Sequence, residues 1–435
     1  MNFFIETYGC QMNKADSNSV IQNLINNGFR EVFSPSEAKL IIINTCSVRK
    51  TAENRIWGRI GSYKNLKKKH NLIILVMGCM SQRVGLDFFN ESPLVDIVVG
   101  TFYKDKIPDI VINHKKGQRV AFVDEKKITF GFSHPDIDNP KKAYITISHG
   151  CNNFCSYCIV PYLRGREASR SSNEIIEDIN NLTKLGVMQV TLLGQNVNSY
   201  GNDTNDVDFP TLLKRISKET DIKWIKYLSS HPKDFSDSLI EVIVNEKKVS
   251  KWLHLAVQSG SNKILQKMNR HYKIESYIEK VNKLKQLTPN LNLTTDIIVG
   301  FPSETEEDFN ETVNLINQVQ FDDAFLYKYN IRENTLAAKE LIDDVTEEEK
   351  LKRLDTIIKI QRNIQRNNKH KKIGTILDIL PEKFSKKGDD EIFGVSQEEL
   401  MILFKGTQSD FDKINKVRIT KVLGGTLYGE KVQDL

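Results

Sequence analysis

The chain is 435 residues long, 39% hydrophobic and 27% charged, with a formal net charge of +6. That size predicts two or three domains with room for real cores, and no apolar run approaches the roughly 18–20 residues that cross a bilayer, which excludes a membrane-embedded protein and sets the expectation of a cytoplasmic monomer. The small positive charge permits a polyanionic partner without demanding one.

At the amino-terminus, MNFFIETYGCQMNKADS meets charge at Glu6 and has no basic segment followed by a long apolar one, so no secretory signal is expected. NFFIETYG predicts a strand and KADSNSVIQNLINNG a helix closed by Gly28. KLIIINT reads as a buried strand, AENRIWGRIGSYKNLKKKH as a helix and NLIILVMG as another buried strand. Continuous apolar strands alternating with helices predict a parallel α/β sheet over residues 1–125. Cys10 follows the first of these strands, Cys46 ends the second and Cys79 follows the third. Open α/β sheets place ligands outside the carboxyl ends of their strands, so the three cysteines are expected to converge on one crevice. Singly, each would be an ordinary buried thiol; at three equivalent positions they suit a three-thiolate cluster.

Residues 126–140 carry Gly131, Pro135, Pro140 and several Asp and Asn, and read as a linker. A second alternation follows, with six strand candidates: KAYITIS, MQVTLLG, IKYLSS, KWLHLAV, LNLTTDIIVG and AFLYKYN. Six βα units over 141–340 predict an incomplete (β/α)6 barrel. Thr-Glu-Glu-Glu at 346–349 predicts a capping box opening a basic helical connector, 341–372. Its apolar stripe is read as Leu351, Leu354, Ile357, Ile358 and Ile364, with the basic face outward. Residues 350–372 hold nine Lys/Arg against one acidic residue, whereas 373–435 hold nine against 11. Such a run is either a solvated helix face or the first electrostatic contact for nucleic acid. TILDILP, EIFGVS, LMILF and KVRITKVLGGTLYGE predict a small β-barrel over 373–435.

The other three cysteines, Cys151, Cys155 and Cys158, form the run CNNFCSYC after the first strand of the second alternation. Iron–sulfur clusters are normally held by four Cys thiolates. Three leave one iron open to a substrate, which a catalytic cluster needs and a plain electron carrier would close. Six cysteines also permit a disulfide framework, but a long chain with few cysteines and no secretory signal uses them for metal or catalysis. Phe154 and Tyr157 are placed to shield a cluster from water.

SHGCNNFCSYCIVPYLRGREASR resembles the radical S-adenosylmethionine superfamily, and more narrowly its methylthiotransferases. The resemblance covers nearly the whole chain. ETYGCQMNKADS, NTCSVR and MGCMSQR are similar to the family's amino-terminal domain with its auxiliary cluster, LLGQNVNSYG, HLAVQSGS and DIIVGFPSETEEDF to its barrel, and the tail to a TRAM domain, an RNA-binding β-barrel. TYGCQMN with LLGQNVNSYG resembles most the MiaB-type branch, which modifies N6-isopentenyl-adenosine beside the anticodon. The resemblance implies two [4Fe-4S] clusters, one on Cys151, Cys155 and Cys158 that yields a 5′-deoxyadenosyl radical from S-adenosylmethionine, and one on Cys10, Cys46 and Cys79 that carries or supplies sulfur. It implies a 2-methylthio product at position 37 of tRNA, a second S-adenosylmethionine as methyl donor, and an electron donor such as a flavodoxin or ferredoxin. An unactivated aromatic C–H has no acidic proton at working pH, so the cofactor must carry that step.

Gln195, Asn196, Gln258, Ser259 and Asp296 end strands at the catalytic end and are candidates to bind the methionine or ribose of the cofactor, ordinary loop hydrogen bonding being the alternative. Arg164 and Arg166 are candidates to meet carboxylate or phosphate, His149 reads as a satisfied loop histidine, and Gly300-Phe301-Pro302 as a turn. Where family members often read YSxRPGTPAA, residues 329–338 read YNIRENTLAA, which loses both prolines and the glycine but keeps Arg332 and Thr335. Two other readings remain at this point: the same chemistry on threonylcarbamoyl-adenosine or a ribosomal protein, and a non-catalytic iron–sulfur protein that binds RNA or transfers electrons.

Overall fold

A computed structural model describes residues 1–47, 50–69, 71–131, 133–385, 388 and 390–432; Val48 and Arg49 of the NTCSVR run lie outside them. The chain divides into two compact units. The first contains 1–152, 159–208 and 219–222, the second 153–158, 209–218 and 223–435. Among the described residues no helix is long and apolar enough to cross a membrane.

The first unit is built on six parallel strands: β1 (Asn2–Thr7), β2 (Arg30–Glu31), β3 (Leu40–Thr45), β4 (Ile73–Gly78), β5 (Ile97–Val99) and β6 (Val120–Phe122), in the order β2-β1-β3-β4-β5-β6. β3 is buried along its whole length because helices cover both faces. Leu40 and Ile42 pack with Val20 and Leu24 of helix Gln11–Asn26, while Ile41 and Ile43 pack with Ile56 and Ile60 of helix Lys50–Ser62. The parallel sheet is as expected, but β5 and β6, three residues each, are too short to show periodicity in the sequence. The helix expected over 52–70 is two helices, because Tyr63 turns into the core and its N–H bonds Ile60 O, three residues back.

The same unit holds the first two strands of the second alternation, β7 (Lys142–Thr146) and β10 (Gln189–Leu193), which pair in parallel. Between them β8 (Ser148–His149) and β9 (Ala168–Ser169) form a short antiparallel pair. The 126–140 segment has no strand or helix of its own among the described residues, yet it is tied down by an Asp136 N–H to Lys142 O bond and by Ile128 against the core.

The second unit supplies the other four expected strands, β11 (Trp224–Tyr227), β12 (Trp252–His254), β13 (Asn292–Val299) and β14 (Asp323–Lys328), all parallel. Helix Glu347–His370 follows. Its buried residues are Lys350, Arg353, Ile357, Gln361 and Ile364, while Leu351 is exposed, so the expected stripe is corrected in part. Lys350 bonds Asp343, and Arg353 bonds Glu304 at 2.9 Å and Glu349 at 3.0 Å. The capping box is half formed: Thr346 accepts the Glu349 N–H, but the Glu349 carboxylate turns to Arg353. The chain ends in a closed barrel of β15 (Ile376–Phe384), β16 (Glu391–Ser396), β17 (Met401–Lys405), β18 (Asn415–Leu423) and β19 (Thr426–Lys431), in the order β15-β16-β17-β19-β18. Its 396–399 turn bonds residues at the starts of the parallel strands: Lys226 pairs with Glu399, Ser250 donates to Gln397 O and Asn292 to Glu398 O.

Candidate functional site

In the first unit, the carboxyl ends of β1, β3 and β4 carry Cys10, Cys46 and Cys79. Strand order reverses between β1 and β3, the switch point where open α/β sheets bind ligands. Two glycines bring the thiols in. Gly9, at φ +133°, lies so close to Cys46 that a Cβ on it would stand 2.8 Å from the Cys46 Cβ. Gly78, at φ +99°, would put a Cβ 2.5 Å from both Asn44 Oδ1 and Thr45 O. A buried amide network holds the strand ends beneath: Asn13 donates to Asn44 Oδ1 at 3.0 Å and Thr45 O at 2.9 Å, and Asn44 donates to Ser17 Oγ at 2.9 Å. Cys10 itself caps helix Gln11–Asn26, its Sγ 3.4 Å from Asn13 Oδ1.

The charge around these thiols is positive. Arg164, 4% exposed, bonds Asp16 at 3.1 Å and hydrogen-bonds Cys79, with Cys10 also within its electrostatic reach. Lys104 bonds the other oxygen of Asp16. Burial pushes the Asp16 carboxyl up, but Lys104 and Arg164 outweigh it and hold it at about 2. Burial pushes the Cys79 thiol up, opposed by the Arg164 charge and hydrogen bond. Within this group two cations face one carboxylate. The surplus is matched when the thiols are ionised, the state in which they ligate iron. None of the six cysteines is in a disulfide. Among the described residues no three donors close round a lone metal ion; a cluster carries its own bridging sulfides and spans a wider gap. The donor set and its charge fit an iron–sulfur cluster.

Cys151 belongs to the first unit, where its N–H donates to Gly165 O at 3.2 Å. Cys155 and Cys158 belong to the second, with the Cys158 N–H on Cys155 O at 2.9 Å. Cys155 Sγ receives Arg270 Nη1 at 3.4 Å and lies 3.9 Å from His231 Nε2. Burial first, then the charges of Arg270, Lys233 and His271, lower His231 to about 2. Its Nδ1 accepts the Lys233 N–H at 3.2 Å, so Nε2 carries the proton and faces the sulfur. Two donors aimed at one sulfur suit a thiolate that ligates iron. Tyr157 packs with Phe301, Tyr329, Ile264 and Met268 beside the loop. In the departing run 329–338, Asn334 stands at φ +69°, a left-handed conformation that Asn tolerates. Thr335 caps the next helix, and Ala337 N–H donates to Ser156 O at 2.7 Å.

The cofactor candidates are placed unevenly. Gln195 Oε1 is buried without a partner among the described residues, and the Asn196 carbonyl accepts the Ser199 hydroxyl at 2.9 Å. Gln258, at φ +72°, bonds β13 through its backbone, from its N–H to Asp296 O at 2.8 Å. The Ser259 hydroxyl is taken up inside the turn, accepting the Ser261 N–H at 3.2 Å. Asp296 bonds His254 Nε2 at 3.1 Å. Arg164 meets a carboxylate, but the protein's own; Arg166 is exposed. His149 is a correction: it is buried against Phe102 at 5.7 Å, its ring nitrogens lack a well-formed partner among the described residues, and burial pushes its pKa well down. Asp16, Lys104, His231 and Arg270 carry no motif; their partners stand 76 to 148 residues away in the chain.

Residues 2–100 match the model of the Uncharacterized protein family UPF0004, and 145–316 that of the Radical SAM superfamily. A tRNA-2-methylthio-N(6)-dimethylallyladenosine synthase of Treponema denticola is 43% identical over 93% of this chain and 94% of its own. One of the same name from Clostridium botulinum is 42% identical over 99% and 97%. Among solved structures, the radical S-adenosylmethionine methyltransferase TsrM from Kitasatospora setae, with cobalamin and a [4Fe-4S] cluster bound, superposes with a TM-score of 0.58 at 11% identity, covering 78% of this chain and 77% of that one. The radical enzyme OxsB gives 0.52 at 13%, over 84% and 56%. At such identities the likeness is one of fold.

Proposed function

The chain belongs to the family of tRNA-2-methylthio-N(6)-dimethylallyladenosine synthases, and from that premise we propose that it converts N6-isopentenyl-adenosine at position 37 of tRNA to its 2-methylthio derivative. The observation that carries this is similarity at 40–43% identity over nearly the whole length of relatives with that name. Cys151, Cys155 and Cys158 would hold the radical-generating cluster, and Cys10, Cys46 and Cys79 the auxiliary one. When bound, the clusters and S-adenosylmethionine supply the radical that removes hydrogen from C2 of the adenine, the sulfur, and the methyl group. The protein's part is to hold and tune. Arg270 and His231 donate to the Cys155 sulfur, and hydrogen bonds of this kind set a cluster's potential. Arg164 balances the charge of ionised thiolates at the second set. Gln195, whose buried Oε1 suits an ammonium donor, and Asn196 and Gln258 at the strand ends are assigned to the cofactor.

The tail, as a TRAM-like barrel, and the exposed face of helix Glu347–His370 would bind the RNA. On β18 the alternation turns Lys416 and Arg418 outward, and Arg418 reaches Gly374 O just after that helix. The protein would act as a cytoplasmic monomer, reduced by a flavodoxin or ferredoxin. The test compares nucleosides from cells with and without the gene. The 2-methylthio nucleoside should vanish on deletion, return with the wild-type gene and stay absent with Cys151→Ala. Its persistence in a deletion that lacks any paralogue refutes the assignment.

A further inference from the structure

Along β12, β13 and β14 alternate side chains divide between two faces. Leu253, Leu293 and Ile297 point one way and are fully buried. Trp252, His254, Thr294, Asp296 and Phe325 occupy the other, since His254 pairs in register with Thr294 and Asp296 with Phe325. His254 is fixed on this face by two bonds, Nε2 to Asp296 Oδ2 at 3.1 Å and Nδ1 to Thr294 Oγ1 at 3.0 Å. Trp252 stacks on its ring, and Phe325 meets the ring edge-on at 5.8 Å. Yet Phe325 is 51% exposed, and the Asp296 side chain keeps 27% of its surface. A large ring left open beside a carboxylate, inside a parallel sheet, is a surface awaiting a flat partner.

Two residues beyond Asp296, about 7 Å along the strand, Ile298 packs against Tyr157 of the cysteine loop. The opposite end of the face is shut, where Asn292 bonds Glu398 O in the turn of the carboxy-terminal barrel. A cofactor held at the cysteine loop lies at the carboxyl ends of the strands. The aromatic face lies deeper along the same strands, beside the place that cofactor would take.

We propose that this face receives the target adenine, unstacked from the RNA, and selects an uncharged, apolar group on its N6. This rests on the reading of the protein as a tRNA methylthiotransferase and adds the residues that choose the substrate. Extruded bases are held by stacking on aromatic rings and by bonds to their edges. An N6-alkyl adenine presents a single N6–H, which the Asp296 carboxylate accepts, and its hydrocarbon tail lies on Phe325 and Trp252. A threonylcarbamoyl group carries a carboxylate of its own, which would face Asp296 charge against charge.

Three anticodon stem-loop RNAs, carrying adenosine, isopentenyl-adenosine or threonylcarbamoyl-adenosine, are titrated against the cluster-loaded full chain at one salt concentration, with RNA-free cleavage of S-adenosylmethionine as a second readout. Phe325→Ala, which removes the surface under the hydrocarbon tail, should cut the preference for isopentenyl over unmodified RNA about tenfold. Asp296→Asn should improve binding of the threonylcarbamoyl RNA several-fold, and RNA-free cleavage should hold in Phe325→Ala. Unchanged binding ratios, in variants of a wild type that does prefer isopentenyl RNA, overturn this proposal alone. So does a fall in RNA-free cleavage with the ratios intact, which would make the face a cofactor site. A wild type that prefers threonylcarbamoyl RNA overturns the functional reading, and the selection with it.

Discussion

Asp16 ties the amino-terminal crevice together, because its two oxygens anchor Lys104 and Arg164, and Arg164 in turn reaches Cys79. Its folded pKa of about 2 lies below the ordinary carboxylate value, so its ionised form favours the folded state. That contribution is complete above about pH 4 and is lost as pH falls toward about 2. Asp16→Asn should therefore melt earlier than wild type near neutral pH, by about 2 kcal/mol, with the gap closing between about pH 4 and 2; melting of the cluster-free chain across that range checks it. The cysteines themselves were legible, since their positions at strand ends and the C-x3-C-x2-C spacing are local patterns. Asp16, Arg270 and His231 were not, because charge pairing across more than 70 residues leaves no local trace.

Helix Glu347–His370 was legible in its existence and its start, through a Thr cap and three acidic residues in the first turn. Its face was misread. Counting only apolar residues as inward hides Lys350 and Arg353, which are buried because Asp343 and Glu304 wait for them on other segments. Glu304 has no exposed side-chain surface, and burial pushes its pKa up. Arg353→Met should destabilise the protein by about 3–5 kcal/mol, because it strands a buried carboxylate. Adding Glu304→Gln should recover part of the loss, and chemical unfolding of the two variants measures both. With Lys350 and Arg353 buried, the exposed charge of this segment is smaller than the bare sequence count of nine suggests.

Over the whole molecule, the acidic balance of residues 373–435 misleads in the same way. Glu399 is matched by Lys226 from outside the segment, so part of the negative charge is consumed inside the fold while Lys416 and Arg418 face outward. The six strands of the second alternation were visible as apolar runs, and all six are present. The docking of the 396–399 turn on strand starts was invisible, because it depends on backbone carbonyls that any sequence carries. Glu399→Gln should destabilise the protein by about 3 kcal/mol, leaving the Lys226 charge buried without its counterion. Limited proteolysis should then cut first within 373–435, and Lys226→Met added to it should slow that cleavage.

Lys226 also sets an order of events during synthesis. It is made 173 residues before Glu399, and chains grow from the amino-terminus. Until the last part of the chain is free of the ribosome, Glu399 cannot pair with this lysine and the 396–399 turn cannot cover the strand starts. These contacts of the tail are thus the last that the strand starts can gain, and a chain broken off before residue 396 would lack all of them.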